Sequence, residues 1–190
     1  MTPEPATVRR AGDADVPLLA RLRRAWVAEV PSPGRDASRD EGAESRAHAS
    51  SESAPSQAPP LEQQGGPVTD PGFEATFAEW YAAERGRRVN WVAEISGDPV
   101  GMLNLVVFRR MPKPGRAVSQ WGYVSNVFVL AAYRNQGVGA RLLNAAMSHA
   151  AEHDFVRVVL SPSERSVPFY RRAGFVEPDM LLVHPAPSRS

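Results

Sequence analysis

The sequence predicts an α/β fold in which one mixed, mostly antiparallel sheet is flanked by helices, and three patterns carry that expectation. Residues 89–96 and 100–108 are rich in apolar and β-branched side chains and are separated by Gly97-Asp98-Pro99, which reads as an antiparallel hairpin. Residues 123–130 form a further apolar strand, followed within a few positions by a glycine-containing turn and an amphipathic stretch at 137–152. A short strand at 156–160, a helix at 164–172 ended by Gly174 and a strand at 180–183 close the chain, so one βαβ unit joins an otherwise antiparallel start.

The preceding elements follow the same reading. A short apolar-polar run at 6–10 opens the order. Asp13 or Asp15 then caps a helix whose apolar positions are Val16, Leu19, Leu22, Trp26, Val27 and Val30. Residues 31–72 shift sharply to Ser, Pro, Gly, Ala and charge, with Leu61 and Val68 as the large apolar residues. Such a segment buries too little surface to offset its ordering entropy, so it reads as a disordered insertion within a single domain spanning 1–190. Asp70-Pro71 marks the start of a second helix, with Phe73, Phe77, Trp80, Tyr81 and Glu84 at helical spacing. On the 137–152 stretch, Val138, Leu142, Leu143, Ala146 and Ala150 share the inner face.

Composition excludes several classes of function. With 22 basic and 21 acidic residues the formal charge is +1, so no global field draws the chain to nucleic acid or to a membrane surface. The chain has no cysteine, which removes thiolate chemistry and thiolate metal sites. No stretch approaches the roughly 18 apolar residues of a membrane span, and residues 1–10 have no apolar core region; the expectation is a soluble, cytoplasmic protein, with a homodimer compatible with this composition. His48, His149, His153 and His184 show no metal-ligand spacing: His149 and His153 stand four apart without an HExxH pattern, so no metal is expected.

The chemistry concentrates in Tyr133-Arg134-Asn135-Gln136-Gly137-Val138-Gly139-Ala140. Glycines where a strand passes into a helix allow a tight turn, and the unpaired first N–H groups of the helix with its dipole make an anion site, to which Arg134 adds a cation. A phosphate-bearing ligand is expected. No GxxxxGK[ST] loop is present, and Leu142 occupies the position where a GxGxxG fingerprint needs its third glycine.

Arg-x-x-Gly-x-Gly after Val127-Phe128-Val129, together with Ser163-Glu164-Arg165-Ser166-Val167-Pro168-Phe169-Tyr170-Arg171-Arg172-Ala173-Gly174-Phe175, resembles the two acetyl-CoA-binding blocks of the GNAT N-acetyltransferase superfamily. The resemblance implies a sheet whose strands splay into an acyl-CoA cleft and an activity that moves an acetyl group from acetyl-CoA to an amine, borne by a small molecule, a peptide or a protein. A catalytically silent acyl-CoA sensor or partner-binding module, or a transferase of a longer acyl group, are the alternatives. Val127, Phe128 and Val129 would meet pantetheine; Arg134, Asn135, Gln136, Gly137, Val138, Gly139 and Ala140 would hold the pyrophosphate. Ser163, which would meet the cofactor through its hydroxyl or fall short of it, stands where many members carry Asn, and Leu130-Ala131-Ala132 replaces a frequent proline-containing turn.

By the same resemblance, Tyr170 is the general acid that protonates the departing thiolate. Glu94 is a candidate base, against the plainer reading of a solvated strand residue, and Ser125 or Asn126 could order a water. Arg109, Arg110, Lys113 and Arg116 could meet the cofactor's 3′-phosphate or simply form a solvated loop. Trp91, Trp121 and Tyr123 could wall the acceptor site or pack against the early helices.

Overall fold

A computed structural model describes residues 5–29 and 70–178. Nearly all of the expected insertion at 31–72 and the expected strand at 180–183 lie outside the described residues. Within them the elements run β1 (Thr7–Arg10), α1 (Val16–Glu29), α2 (Phe73–Glu84), β2 (Arg88–Ile95), β3 (Asp98–Arg109), β4 (Gln120–Val129), α3 (Val138–Glu152), β5 (Phe155–Val159) and α4 (Val167–Arg172).

The five strands form one sheet in the order β1-β2-β3-β4-β5, antiparallel except for the parallel β4–β5 pair, and helices lie on both faces. Alternation along the strands divides the apolar residues into two cores. Leu103, Leu105 and Val124 face α3, whose Val138, Leu142, Leu143 and Ala146 complete that layer. Val92, Met102 and Phe128 face the opposite way, against Leu19 and Leu22 of α1 and Tyr81 of α2. All five positions expected on the inner face of α3 are buried. Full burial of a leucine of this kind contributes about 1.5–3 kcal/mol.

Local chemistry moves several boundaries. The hairpin turn is Ser96-Gly97, both at positive φ (52° and 83°), and Ile95 pairs with Asp98. This is the two-residue turn whose twist matches its strands; Asp98 and Pro99 therefore belong to β3 rather than to the turn. Pro99 is tolerated because it sits opposite Glu94 at a register shift near the strand's start. Asp70 does not cap α2 directly. Its carboxylate accepts the Gly72 N–H at 2.8 Å, closing a local turn, and the helix begins at Phe73. The expected helix at 164–172 is a 3-10 turn at Glu164–Ser166 leading into α4.

Two close contacts fix strands within the sheet. Arg9 on β1 donates to Asp15 and to Glu94, each at 2.7 Å, tying the outer strand to the start of α1 and to β2. The hydrogen bond from Arg9 holds the Asp15 carboxyl below its usual range, against an opposing effect of burial. Near the start of β3, a Cβ on Gly101 would lie 2.8 Å from the Phe128 carbonyl oxygen and 3.3 Å from a Leu142 methyl. Only glycine lets β4 approach there.

Gly101→Ala should therefore lower stability by about 1–3 kcal/mol in urea unfolding, since the backbone it strikes cannot turn aside. Because the Asp15 pKa is depressed on folding, its contribution is complete above the ordinary carboxylate pKa of about 4 and is lost as pH falls through the lowered folded value. Arg9→Met should cost about 1 kcal/mol or less at pH 7 and flatten the loss of stability between pH 5 and pH 2 relative to wild type, read from urea midpoints across roughly that range.

Candidate active site

β4 is the strand on which the site is built, and two irregularities shape it. Asn104 of β3 pairs with Asn126, whereas Leu105 pairs with Val124, so Ser125 is an extra residue in the ladder. A bulge of this kind bends and twists its strand. On the other side β4 meets β5 through Gln120, Gly122 and Tyr123, opposite Phe155, Val158 and Val159. Beyond Tyr123 the strand pairs with β3 alone, and its second edge opens as a cleft down to Val129. The splay expected from the resemblance is present, and Val127, Phe128 and Val129 border it. Backbone N–H and C=O groups along such an edge need partners.

The cleft leads to the glycine turn. After a 3-10 turn at Ala131–Tyr133, Asn135 and Gly137 adopt positive φ (60° and 79°), and α3 starts at Val138. Arg141 N–H donates to the Gly137 carbonyl at 3.0 Å, so the N–H groups of Val138, Gly139 and Ala140 precede the first intrahelical bond. Successive N–H groups in such a turn make an anion-binding concavity at the positive end of the helix dipole. Gln136 folds back to donate to the Ala132 carbonyl at 3.0 Å.

The two glycines serve different ends. A Cβ at Gly137 would meet no heavy atom within 4 Å; the residue matters for its left-handed backbone. A Cβ at Gly139 would stand 3.4 Å from the Phe169 ring and 3.9 Å from Val129, at ordinary contact distance, so this position faces α4. The side-chain position of Gly139 points at Phe169, whereas that of Gly137 points into open space. Arg134 is placed otherwise than expected: its Nε donates to the Val129 carbonyl at 2.8 Å and its guanidinium pairs with Glu29 of α1. The guanidinium is thus committed to the end of β4 and to α1.

Tyr170 lies on α4 with its ring against Phe169 and Phe175, at centroid distances of 4.9 and 5.9 Å. Burial pushes its hydroxyl up to about 12, with a further rise from Tyr123, the residue at which β4 and β5 part. The phenol is fully protonated at neutral pH. Ser163 precedes the 3-10 turn, its hydroxyl 3.0 Å from that of Ser166.

On the face of the sheet covered by α1 and α2 lies a cavity of about 320 Å³. Phe73, Phe77 and Trp80 of α2 form one wall, and Leu19 and Arg23 of α1 another. Its floor carries Asn90, Asn104 and Asn126, from β2, β3 and β4, in one cross-strand register. Asn90 and Asn104 were not singled out in the sequence, although each is an amide inside an apolar strand and so carried a signal. Asn126 adjoins both the cavity and the open edge of β4.

Other expected site residues fall elsewhere. Glu94 is held by Arg9 on the β1–β2 side, two strands from β4, which argues against a base at that position. Trp91 is buried against His149 of α3, and so packs neither on the cavity nor on the early helices. Trp121 stacks on Phe108 at 4.3 Å, beneath Arg157. Arg109, Arg110, Lys113 and Arg116 are exposed. His149, Glu152 and His153 bring potential ligand atoms within 4.8 Å of one another, with His153 Nδ1 2.8 Å from the His149 carbonyl oxygen; spacing alone did not predict that cluster.

Comparison with known proteins agrees with this geometry. The model of the Acetyltransferase (GNAT) family matches residues 54–175. A glucosamine 6-phosphate N-acetyltransferase of Trypanosoma brucei brucei is 31% identical over 98 residues, 49% of this chain and 65% of that protein; the match thus spans just under two thirds of the relative. Glucosamine 6-phosphate N-acetyltransferase 1 of Oryza sativa subsp. japonica is 27% identical over 116 residues, 61% of this chain and 69% of that protein. Among solved structures, a predicted acetyltransferase with acetyl-CoA from Clostridium acetobutylicum superposes with a TM-score of 0.61 at 16% identity, covering 94% of this chain and 95% of the other. An aminoglycoside acetyltransferase from an uncultured soil metagenomic sample gives 0.63 at 14%, covering 97% of each. The match over most of the chain, on a sheet that splays at β4 above an open helix N-terminus, establishes that the protein belongs to the GNAT acetyltransferase family.

Proposed function

We propose that the protein is an acetyl-CoA-dependent N-acetyltransferase in which the acceptor amine attacks the thioester directly. The observation that carries this reading is the continuity of the open edge of β4 with the N-terminus of α3. An extended amide-bearing arm fits the first and a diphosphate the second, in the order in which coenzyme A carries them. Val127, Phe128 and Val129 supply the edge; Asn135, Gln136, Gly137, Val138, Gly139 and Ala140 supply the turn. Arg134 contributes by fixing the end of β4 through the Val129 carbonyl.

In the reaction a neutral amine forms the new C–N bond, and collapse of the tetrahedral adduct breaks the C–S bond. A backbone N–H on the open edge stabilises the oxyanion. Tyr170 then hydrogen-bonds the departing thiolate. With its pKa pushed up to about 12, against about 8.5 for a thiol, complete transfer of its proton is uphill by more than three powers of ten. Tyr170 therefore delivers a proton only as the ammonium of the adduct loses one, and the fixed hydrogen bond is its main contribution. With Glu94 committed to Arg9, a water held by Ser125 and Asn126, whose side chains are bonded at 3.0 Å, is the better route for the amine proton.

The acceptor reaches the thioester from the cavity between α2 and the asparagine floor. Glucosamine 6-phosphate, which names the two curated relatives, is one candidate among small amines, and a turnover screen against acetyl-CoA that includes it tests the activity directly.

Tyr170→Phe should lower kcat by about a hundredfold with unchanged acetyl-CoA affinity, as thiol release and calorimetry would report; an unaltered kcat would make the residue a packing group only. Gly139→Glu should weaken acetyl-CoA binding by more than about tenfold, 1.4 kcal/mol, through its charge and through displacement of Phe169. Gly139→Ala should keep the affinity, because its methyl reaches only ordinary contact with that ring.

A further inference from the structure

The cavity beside Asn126 has a composition that selects among amines. Its floor is a directed hydrogen-bond chain: Arg88 donates to Asn104 Oδ1 at 2.8 Å, Asn104 Nδ2 donates to Asn90 Oδ1 at 2.6 Å, and Asn90 bonds the Tyr81 hydroxyl. Arg88 is anchored in turn by Glu84 at 2.7 Å. The chain locks the amides of Asn90 and Asn104 in one orientation. A carboxamide has two N–H donors and two acceptor lone pairs, so Asn104, which spends one of each on this chain, retains one donor and one acceptor. An incoming amide or hydroxyl can satisfy both.

The walls are apolar, and charge in them is already matched. Phe73, Phe77 and Trp80 lie side by side with centroid separations of 5.8 and 5.3 Å. Arg24 stands 5.3 Å over Phe73 and Arg88 4.8 Å over Trp80, so cations of the protein itself already engage these rings. No Asp or Glu is among the described residues lining the cavity, and the cation Arg23 is. Glu74 and Glu84 of α2 are paired with Arg24 and with Arg87 and Arg88. Among the described residues, a second ammonium group on a ligand would find no counter-charge in the cavity, at a desolvation cost. The reacting amine escapes that cost because it attacks uncharged.

Resting on the acetyltransferase reading above, we propose that the acceptor is a small monoamine with an aromatic or apolar body and an amide or hydroxyl group that Asn90, Asn104 and Asn126 bind, and that polyamines are excluded. The body lies against Phe77 and Trp80 while the polar group sits on the asparagine floor, pointing the amine toward the edge of β4.

The test uses the full chain with acetyl-CoA and five amines: phenylalaninamide, tyramine, spermidine, kanamycin and glucosamine 6-phosphate. Calorimetry with acetyl-CoA alone comes first, since failure to bind it would topple the acetyltransferase reading itself. Given binding, phenylalaninamide or tyramine should exceed spermidine and kanamycin in kcat/KM by at least about tenfold. Asn104→Ala should raise KM for phenylalaninamide with the acetyl-CoA affinity unchanged. Because Asn104 is buried, a second variant avoids the core: Thr76→Asp puts a carboxylate on an exposed lining position in the first turn of α2, where the helix dipole favours it. That variant should shift the kcat/KM ratio toward spermidine by about tenfold or more. Preference of the wild type for a polyamine, kanamycin or the sugar phosphate overturns the proposal, as does an unmoved ratio in Thr76→Asp or binding of acetyl-CoA without turnover of any of the five.

Discussion

Everything in the site depends on β4 losing one neighbour while keeping the other. A strand paired on a single edge would be free to twist or fray, and its open N–H and C=O groups would have no fixed direction. Here the retained partner is held closely. β3 pairs with β4 from Arg109 and Gln120 down to Gly101 and Val129, and the Leu130 N–H extends the ladder by donating to the Val100 carbonyl at 2.9 Å. Arg134 then closes over the Val129 carbonyl and reaches Glu29 on α1. The open edge is stiff because its far side and its end are both pinned.

The same strand divides labour between its edge and its faces. Val124, Val127 and Val129 belong with the α3 core, whereas Phe128 turns toward α1 and α2 and stacks with Trp26 at 6.2 Å. The bulge at Ser125 sets this phase, since one extra residue reverses which side chains point to which face. It brings Asn126 to the face that carries Asn90 and Asn104, at the point where the edge is already open. Under the proposed function, a cofactor read by backbone and an acceptor read by side chains would meet within one residue of each other without competing for the same atoms.

How much of this was legible follows from which physics is local. Helical periodicity gave the inner face of α3 residue by residue, and the apolar runs gave the order of strands, because burial imposes those patterns directly on the sequence. The glycine turn and the Tyr170 to Phe175 block were legible as motifs. Interactions between residues far apart in sequence were not. Nothing near Glu94 announces Arg9, 85 positions earlier, and nothing near Arg134 announces Glu29 across 105. The asparagine floor is intermediate: each amide inside an apolar strand is visible, but its alignment with the others depends on the Ser96-Gly97 turn and the Ser125 bulge, which set the registers of two strand pairs.

The position of Gly139 links the two halves of the site. If the residue served the turn alone, phosphate binding and placement of Tyr170 would be separate properties of separate elements. The ring of Phe169, the neighbour of Tyr170 on a helix of six residues with little independent stability, instead faces it at ordinary contact distance from a Cβ built there. α4 is therefore positioned by what it packs on, which includes the core beside the first turn of α3, where the proposed anion site lies. Under the proposed function, that contact would connect the charged end of the acyl donor with the placement of Tyr170 at its reactive end.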